Sequence, residues 1–174
     1  MEQNILKRYN EIHTMLWEEV LKAFSARTSN INDVKYYKEN GQLSYKLNVF
    51  NIKRTALFHL CVRGKITEEE EYNLLANANC AACYVAHASQ SIESMKDNNY
   101  SRIRCVYCPI KKWNTMDTYC HDYYTIDDKL DDLTVYISNC IDGKEKFSIE
   151  TYMSLRKAII KKMYILAHLE WGYE

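Results

Sequence analysis

The chain has 174 residues, 47% of them hydrophobic and 26% charged, and its 23 basic and 23 acidic side chains give a formal net charge of zero. This length suits one domain with a single apolar core, and the composition is that of a globular protein rather than a disordered one. Charge neutrality argues against a nucleic-acid binder, which carries a basic excess, and against a protein that imitates DNA, which carries an acidic one.

The start of the chain and its cysteine content bear on its cellular location. Met1 is followed by Glu2, Gln3 and Asn4 without an apolar leader, and no run approaches the roughly 18 apolar residues of a membrane span. Seven cysteines then favour a reducing environment over a disulfide framework. We therefore expect a cytoplasmic protein with no membrane segment.

Fifteen tyrosines are the other compositional feature. Tyrosine is enriched at protein interfaces because one end of its side chain is apolar and the other forms hydrogen bonds. The simpler explanation, to which we give more weight, is that an AT-rich genome produces a chain rich in Asn, Lys, Ile and Tyr.

The first half of the chain predicts helices from its apolar spacing. Residues 3–25 repeat apolar side chains every three or four positions, and His13 is expected at the boundary of that stripe. Residues 34–41 form either a short helix or an irregular connection. Residues 43–61 predict one helix that is apolar on two sides and central in the bundle, with Cys61 as a buried small hydrophobe and Gly64 as a left-handed cap.

The second half predicts three further helices. Thr67 and Glu70 form a capping box that begins a helix able to continue into the first cysteine pair. Residues 127–140 predict a helix that ends before Gly143, and Ser148 begins a last helix that runs toward Trp171. We therefore predict an all-α fold, with residues 1–174 forming a single domain of five to seven helices.

Two cysteine pairs lie in the middle of the chain. Cys80 and Cys83 form the sequence CAAC, and after twenty-one intervening residues Cys105 and Cys108 form CVYC, followed at once by Pro109. A two-residue gap lets one turn of backbone present both sulfurs to one ion, so two such pairs predict a structural zinc site with four thiolate ligands, within residues 79–120. The alternative for a single CxxC pair is a redox dithiol or two unrelated buried thiols.

Three neighbouring side chains are able to replace one of the four sulfurs. Cys120 and His121 follow the second pair closely, and His87 lies four residues after Cys83, one helical turn along the same face. A site with three sulfurs and one imidazole would still have four protein ligands. Such a closed coordination sphere is structural, because a catalytic zinc keeps a position for water.

A basic and aromatic cluster surrounds the second cysteine pair. Zinc knuckles that bind single-stranded RNA combine rings that stack on bases with cations that hold phosphates. The alternative, which we favour, is that the rings pack inward and the charges are solvated. The cluster comprises Arg102, Arg104, Tyr107, Lys111, Lys112 and Trp113.

The dipeptide His121-Asp122 invites comparison with the HD-domain metal phosphohydrolases, which are also all-helical. That interpretation needs an earlier histidine, His59 or His87, and a later aspartate such as Asp131. The acidic residues near Asp131 are more simply the solvated face of a helix. The sequence contains no Gly-rich phosphate loop, no GxSxG and no HExxH.

The cysteine segment carries a resemblance. Residues 79–86, NCAACYVA, and residues 105–110, CVYCPI, followed by Trp113 and Cys120, resemble a loose class of short helical proteins encoded by bacteriophages and prophages of low-GC bacteria. The resemblance implies a phage accessory protein, and many of these disable host defences such as CRISPR effectors by binding them. We therefore expect a non-enzymatic protein-binding module that acts on a host protein or complex in the host cytoplasm. The alternatives are a nucleic-acid-binding zinc protein and an HD-type phosphohydrolase.

Overall fold

The structure is a computed structural model that describes residues 3–89, 108–110, 121–169 and 171. Within these residues every regular element is a helix, so the predicted all-α class is confirmed. In chain order the helices are α1 (Gln3–Thr28), α2 (Ile31–Glu39), α3 (Leu43–Lys46), α4 (Val49–Val62), α5 (Glu68–Leu75), α6 (Ala81–Ser89), α7 (His121–Ile141) and α8 (Ile149–Ala167).

The helix count differs from the prediction, since the described residues alone contain eight helices rather than five to seven. Residues 43–61 form two helices because the Asn48 side chain caps α4, accepting a hydrogen bond from the Asn51 backbone N–H. The Thr67 helix ends at Leu75 and does not continue into the cysteine pair. The apolar spacing runs through both interruptions and therefore conceals them.

The core is organised around α1, which packs against α4, α6 and α8. In addition, α8 packs against α7, and α5 packs against both α4 and α6. The predicted stripe of α1 is confirmed, with Tyr9 through Phe24 buried at its apolar positions. On α6, the ring of Tyr84 lies 4.4 Å from that of Tyr9, measured between ring centroids. This contact holds the cysteine-bearing helix against α1.

Local end signals were predicted most accurately. Thr67 and Glu70 form the reciprocal capping box, Ser148 caps α8 through its side chain, and Gly64 adopts a positive φ of 70°. The backbone N–H groups of Gly64 and Lys65 donate to the carbonyls of Cys61 and Leu60, the two hydrogen bonds of a Schellman motif. Each of these signals depends on only a few consecutive residues.

Several predicted surface assignments were wrong. His13 is fully buried rather than at a boundary, because this side of α1 packs against the end of α8. Phe50 is 44% exposed, and Cys61 is only partly buried, so α4 is not enclosed on two sides. On α5 the buried residue is Leu74, whereas Tyr72 faces solvent.

Candidate metal centre

The chain reaches Cys80 through a tight left-handed turn. After α5, Ala78 and Asn79 have φ values of 57° and 54°, and the Asn79 backbone N–H donates to the Leu74 carbonyl at 2.8 Å. Asparagine tolerates this conformation, whereas in alanine the Cβ is sterically unfavourable there. The turn reverses the chain and places Cys80 immediately before α6.

The CAAC sequence occupies the start of α6. The Cys80 carbonyl accepts from the Tyr84 backbone N–H at 3.1 Å, so Cys80 is the residue that caps the helix and Cys83 lies three positions inside it. A cap residue and the third helical residue face each other, as in a capping box. The two-residue spacing that predicted two sulfurs bound to one ion therefore corresponds to the first turn of a helix. The positive end of the helix dipole lies at this turn and favours thiolates.

The two thiols of this pair are adjacent. Cys80 is 8% exposed, and the hydrogen bond between its side chain and that of Cys83 raises the pKa of Cys80 well above 9.0, with burial adding to the rise. The Lys53 ammonium and the Cys83 backbone N–H act in the opposite direction on that pKa. Two neighbouring sulfurs, of which Cys80 is buried and Cys83 partly buried, repel each other when both are ionised, and a divalent cation removes that repulsion. The pair thus fits half of a thiolate metal site.

The second pair is described only in part. Cys108 is partly buried and packs against the core beside the buried Pro109 and Ile110, whereas Cys105 lies outside the described residues. Within the described ranges, no three histidine, cysteine or acidic side chains form a group able to hold a metal ion. The four-sulfur site therefore remains a prediction.

Some of the other predicted ligands and site residues lie within the described part of the chain, and the rest lie outside it. His87 is partly buried on α6, His59 is exposed on α4 and Asp131 is exposed on α7, while His121 begins α7. Outside the residues whose side chains are described lie Cys120, His121, Asp122 and the whole basic and aromatic cluster of Arg102, Arg104, Tyr107, Lys111, Lys112 and Trp113.

A buried lysine on α4 was missed by the sequence interpretation. Lys53 of α4 is 1% exposed, and its Nζ lies 4.6 Å from the centroid of the Trp17 ring. It comes four residues after Val49 and four before Leu57, both of which are core positions. Helical spacing alone was therefore a signal that this lysine points inward.

A buried histidine, His13, lies one turn before Trp17 on α1. His13 is 1% exposed, its Nε2 lies 2.7 Å from the Leu166 carbonyl oxygen, and its ring meets Trp171 edge-on at 5.6 Å. Burial, with a smaller contribution from the Lys53 ammonium, lowers the pKa of His13 to about 4, against the hydrogen bond to Leu166, which raises it. His13 therefore stays neutral and donates Nε2–H to Leu166.

Comparison with known proteins gives no match, whether with protein-family models, curated proteins or solved structures. Along the described part of the chain, none of the helices combines the length and apolar character needed to cross a membrane. The surfaces and side chains of this chain are therefore the basis for inferring its function.

Proposed function

We propose that this chain is a non-enzymatic protein-binding module whose contact surface lies on the α4–α5 hairpin. One observation carries the proposal. Among the described residues, the three most exposed large apolar side chains are Val62, Tyr72 and Phe58, at 69%, 69% and 61%, and all three lie on these two helices. Leu75 of α5 adds a fourth, at 40%. We call these four residues the hairpin surface.

The hairpin surface has the chemistry of a docking site. Phe58 and Val62 are neighbours one turn apart on α4, and α5, which carries Tyr72, packs against α4. Single exposed apolar residues are ordinary, but several on adjacent turns indicate an interaction site. Aromatic side chains that give large contact area at low entropic cost are typical binding anchors.

The partner in this proposal is a host protein or protein complex. The resemblance of the cysteine segment to phage accessory proteins supports a complex of host defence, such as a CRISPR effector. Net charge zero supports a protein partner over a nucleic acid, since polyanion binding depends on a surplus of cations. In this function the module acts by occupying a surface of its partner.

The test is a pull-down from host lysate followed by affinity measurement with the recovered partner. Val62→Ser and Phe58→Ser should weaken binding about tenfold or more, because apolar anchors at interface centres carry most of the binding energy. Val135→Ser is the matched control, since Val135 is 56% exposed on α7 and is not part of the hairpin surface. Equal binding by Val62→Ser, Phe58→Ser and Val135→Ser, or recovery of nucleic acid alone, would contradict the proposal.

We further propose that a structural zinc ion joins the two cysteine pairs, with Cys80, Cys83, Cys105 and Cys108 as its ligands. The adjacency of the Cys80 and Cys83 thiols supports it, since sulfur donors at the start of a helix suit zinc. The ion would tie the α5–α6 turn to the second pair. Elemental analysis of the purified protein should find one zinc per chain.

A further inference from the structure

The cysteine pair of α6 has the local geometry of two thiols that react with each other. Cys80 caps the helix from just outside it, and Cys83 is the third helical residue. The Cys80 side chain is hydrogen-bonded to the side chain and to the backbone N–H of Cys83. The two sulfurs are therefore neighbours without any contribution from the second cysteine pair.

Helix geometry decides whether these two sulfurs can be joined. Residues three apart on a helix have Cβ atoms about 5–6 Å apart, whereas a disulfide needs about 4 Å. Closing this gap needs a rotation of the backbone at one of the two residues. Cys80 can supply the rotation because it lies outside α6, after a turn that contains the left-handed Ala78 and Asn79.

The two thiols differ in exposure, which gives each a separate role in thiol–disulfide exchange. Cys83 is partly buried, whereas Cys80 is only 8% exposed. A small disulfide therefore reaches Cys83 first, because exchange requires access to the attacking thiolate. The Cys80 thiol beside it is then placed to complete the exchange.

We propose that Cys80 and Cys83 form a reversible redox couple, which a small-molecule disulfide such as glutathione disulfide oxidises to a disulfide across the first turn of α6. First, the Cys83 thiolate attacks one sulfur of glutathione disulfide, and one glutathione leaves as its thiolate. The Cys80 thiolate then attacks the Cys83 sulfur and displaces the second glutathione. Two protein thiols are thus oxidised, one glutathione disulfide is reduced, and the two protein thiol protons pass to the departing glutathione thiolates.

The couple itself does not depend on a metal, but its consequence for zinc rests on the proposed zinc site. Zinc is bound by thiolates, and a sulfur in a disulfide bond is no longer one. Oxidation would therefore remove two of the four proposed ligands. Bound zinc would in turn withdraw both sulfurs from exchange, so the ion and the disulfide exclude each other.

Tryptic mapping of the full chain isolates this pair. Residues 66–96 form one tryptic peptide, which contains Cys80 and Cys83 and no other cysteine. Residues 55–63 form another, whose single cysteine is Cys61. Cys61 is also partly buried, on α4, so its peptide is the internal control for non-specific oxidation.

The reduced, metal-free chain is incubated with glutathione disulfide at pH 7, its remaining thiols are alkylated, and the digest is weighed by mass spectrometry. We expect most of peptide 66–96 to lack both alkyl groups and to be two hydrogen atoms lighter than the dithiol. Its oxidation should be about tenfold or more faster than that of Cys61, since Cys61 has no paired cysteine in its own turn of helix.

Single variants of the metal-free chain test the order of the two steps. Cys80→Ser should accumulate the mixed disulfide of Cys83 with glutathione, because the second thiol is missing. Cys83→Ser should form the corresponding mixed disulfide at Cys80 about tenfold more slowly, because Cys80 is buried. Equal rates in the two variants would contradict the assigned roles. The wild-type measurement stands whether or not these variants fold.

The remaining outcomes separate the redox couple from the metal site. A metal-free wild type whose peptide 66–96 stays alkylated, or is linked instead to the peptide of residues 105–111, overturns the couple. Disulfide formation that stoichiometric zinc slows about tenfold or more supports both proposals, because bound sulfurs are withdrawn from exchange. A chain that binds no zinc and still forms the disulfide overturns the metal site and leaves the couple standing.

Discussion

At the residue scale, His13 links the stability of the fold to pH. Its imidazole is neutral in the folded chain because burial lowers its pKa from the ordinary 6.5 to about 4. As the pH falls below 6.5 the unfolded chain takes up this proton first, so the free energy of unfolding decreases until the pH reaches about 4. This difference in pKa between the folded and unfolded chain lowers the free energy of unfolding by about 3 kcal/mol.

His13→Gln tests this contribution, because glutamine has an amide N–H for the Leu166 carbonyl but does not titrate in this range. Denaturant unfolding at several pH values between 7 and 4 should show a shallower loss of stability in the variant. His59→Gln, at an exposed position of α4, is the control and should follow the wild type. A wild-type slope in His13→Gln would mean that other groups cause the acid sensitivity.

At the element scale, the turns on either side of α5 use the same backbone conformation with different residues. Gly64 before α5 and Ala78 after it have φ values of 70° and 57°. A Cβ costs about 1 kcal/mol in this conformation. A Cβ added at Gly64 would meet no atom within 4 Å, and Ala78 is exposed, so neither exchange changes the packing.

Ala78→Gly should therefore stabilise the chain by up to about 1 kcal/mol, and Gly64→Ala should destabilise it by about the same amount. Chemical denaturation of both variants measures the two signs against the wild type. Shifts in the same direction would show that backbone strain does not govern these turns.

These elements also show what the sequence was able to predict. Thr67, Ser148 and Gly64 were identified correctly because a cap depends on a few adjacent residues. The break at Asn48 was missed because apolar spacing continues across it. The burial of Lys53 was missed although it continues the buried spacing of Val49 and Leu57, because a charged side chain usually indicates an exposed position.

At the scale of the whole molecule, α1 is tied to its neighbours at both ends. Near its start, Arg8 donates through Nε and Nη2 to the Glu70 carboxylate of α5, at 2.7 and 2.9 Å. At its end, the Tyr152 hydroxyl of α8 donates to the Thr28 carbonyl at 2.6 Å. Tyr9, next to Arg8 in the chain, contacts Tyr84 of the cysteine-bearing helix α6, whereas the link to α8 is formed without that helix. The two ends of α1 should therefore respond differently to loss of zinc.

Cys80→Ser removes one predicted zinc ligand and tests this division. The variant should lose the metal, and with it a contribution that reaches on the order of 10 kcal/mol in small zinc domains. Hydrogen exchange should accelerate in α6, while the amides of α7 and α8 keep their protection, because α7 packs on α8 and α8 packs on α1. Cys140→Ser, which changes a partly buried thiol on α7 outside the predicted ligand set, should keep both zinc and protection. Zinc retained by Cys80→Ser would exclude this ligand, and equal loss of protection in every helix would show that the metal supports the entire bundle rather than one side of it.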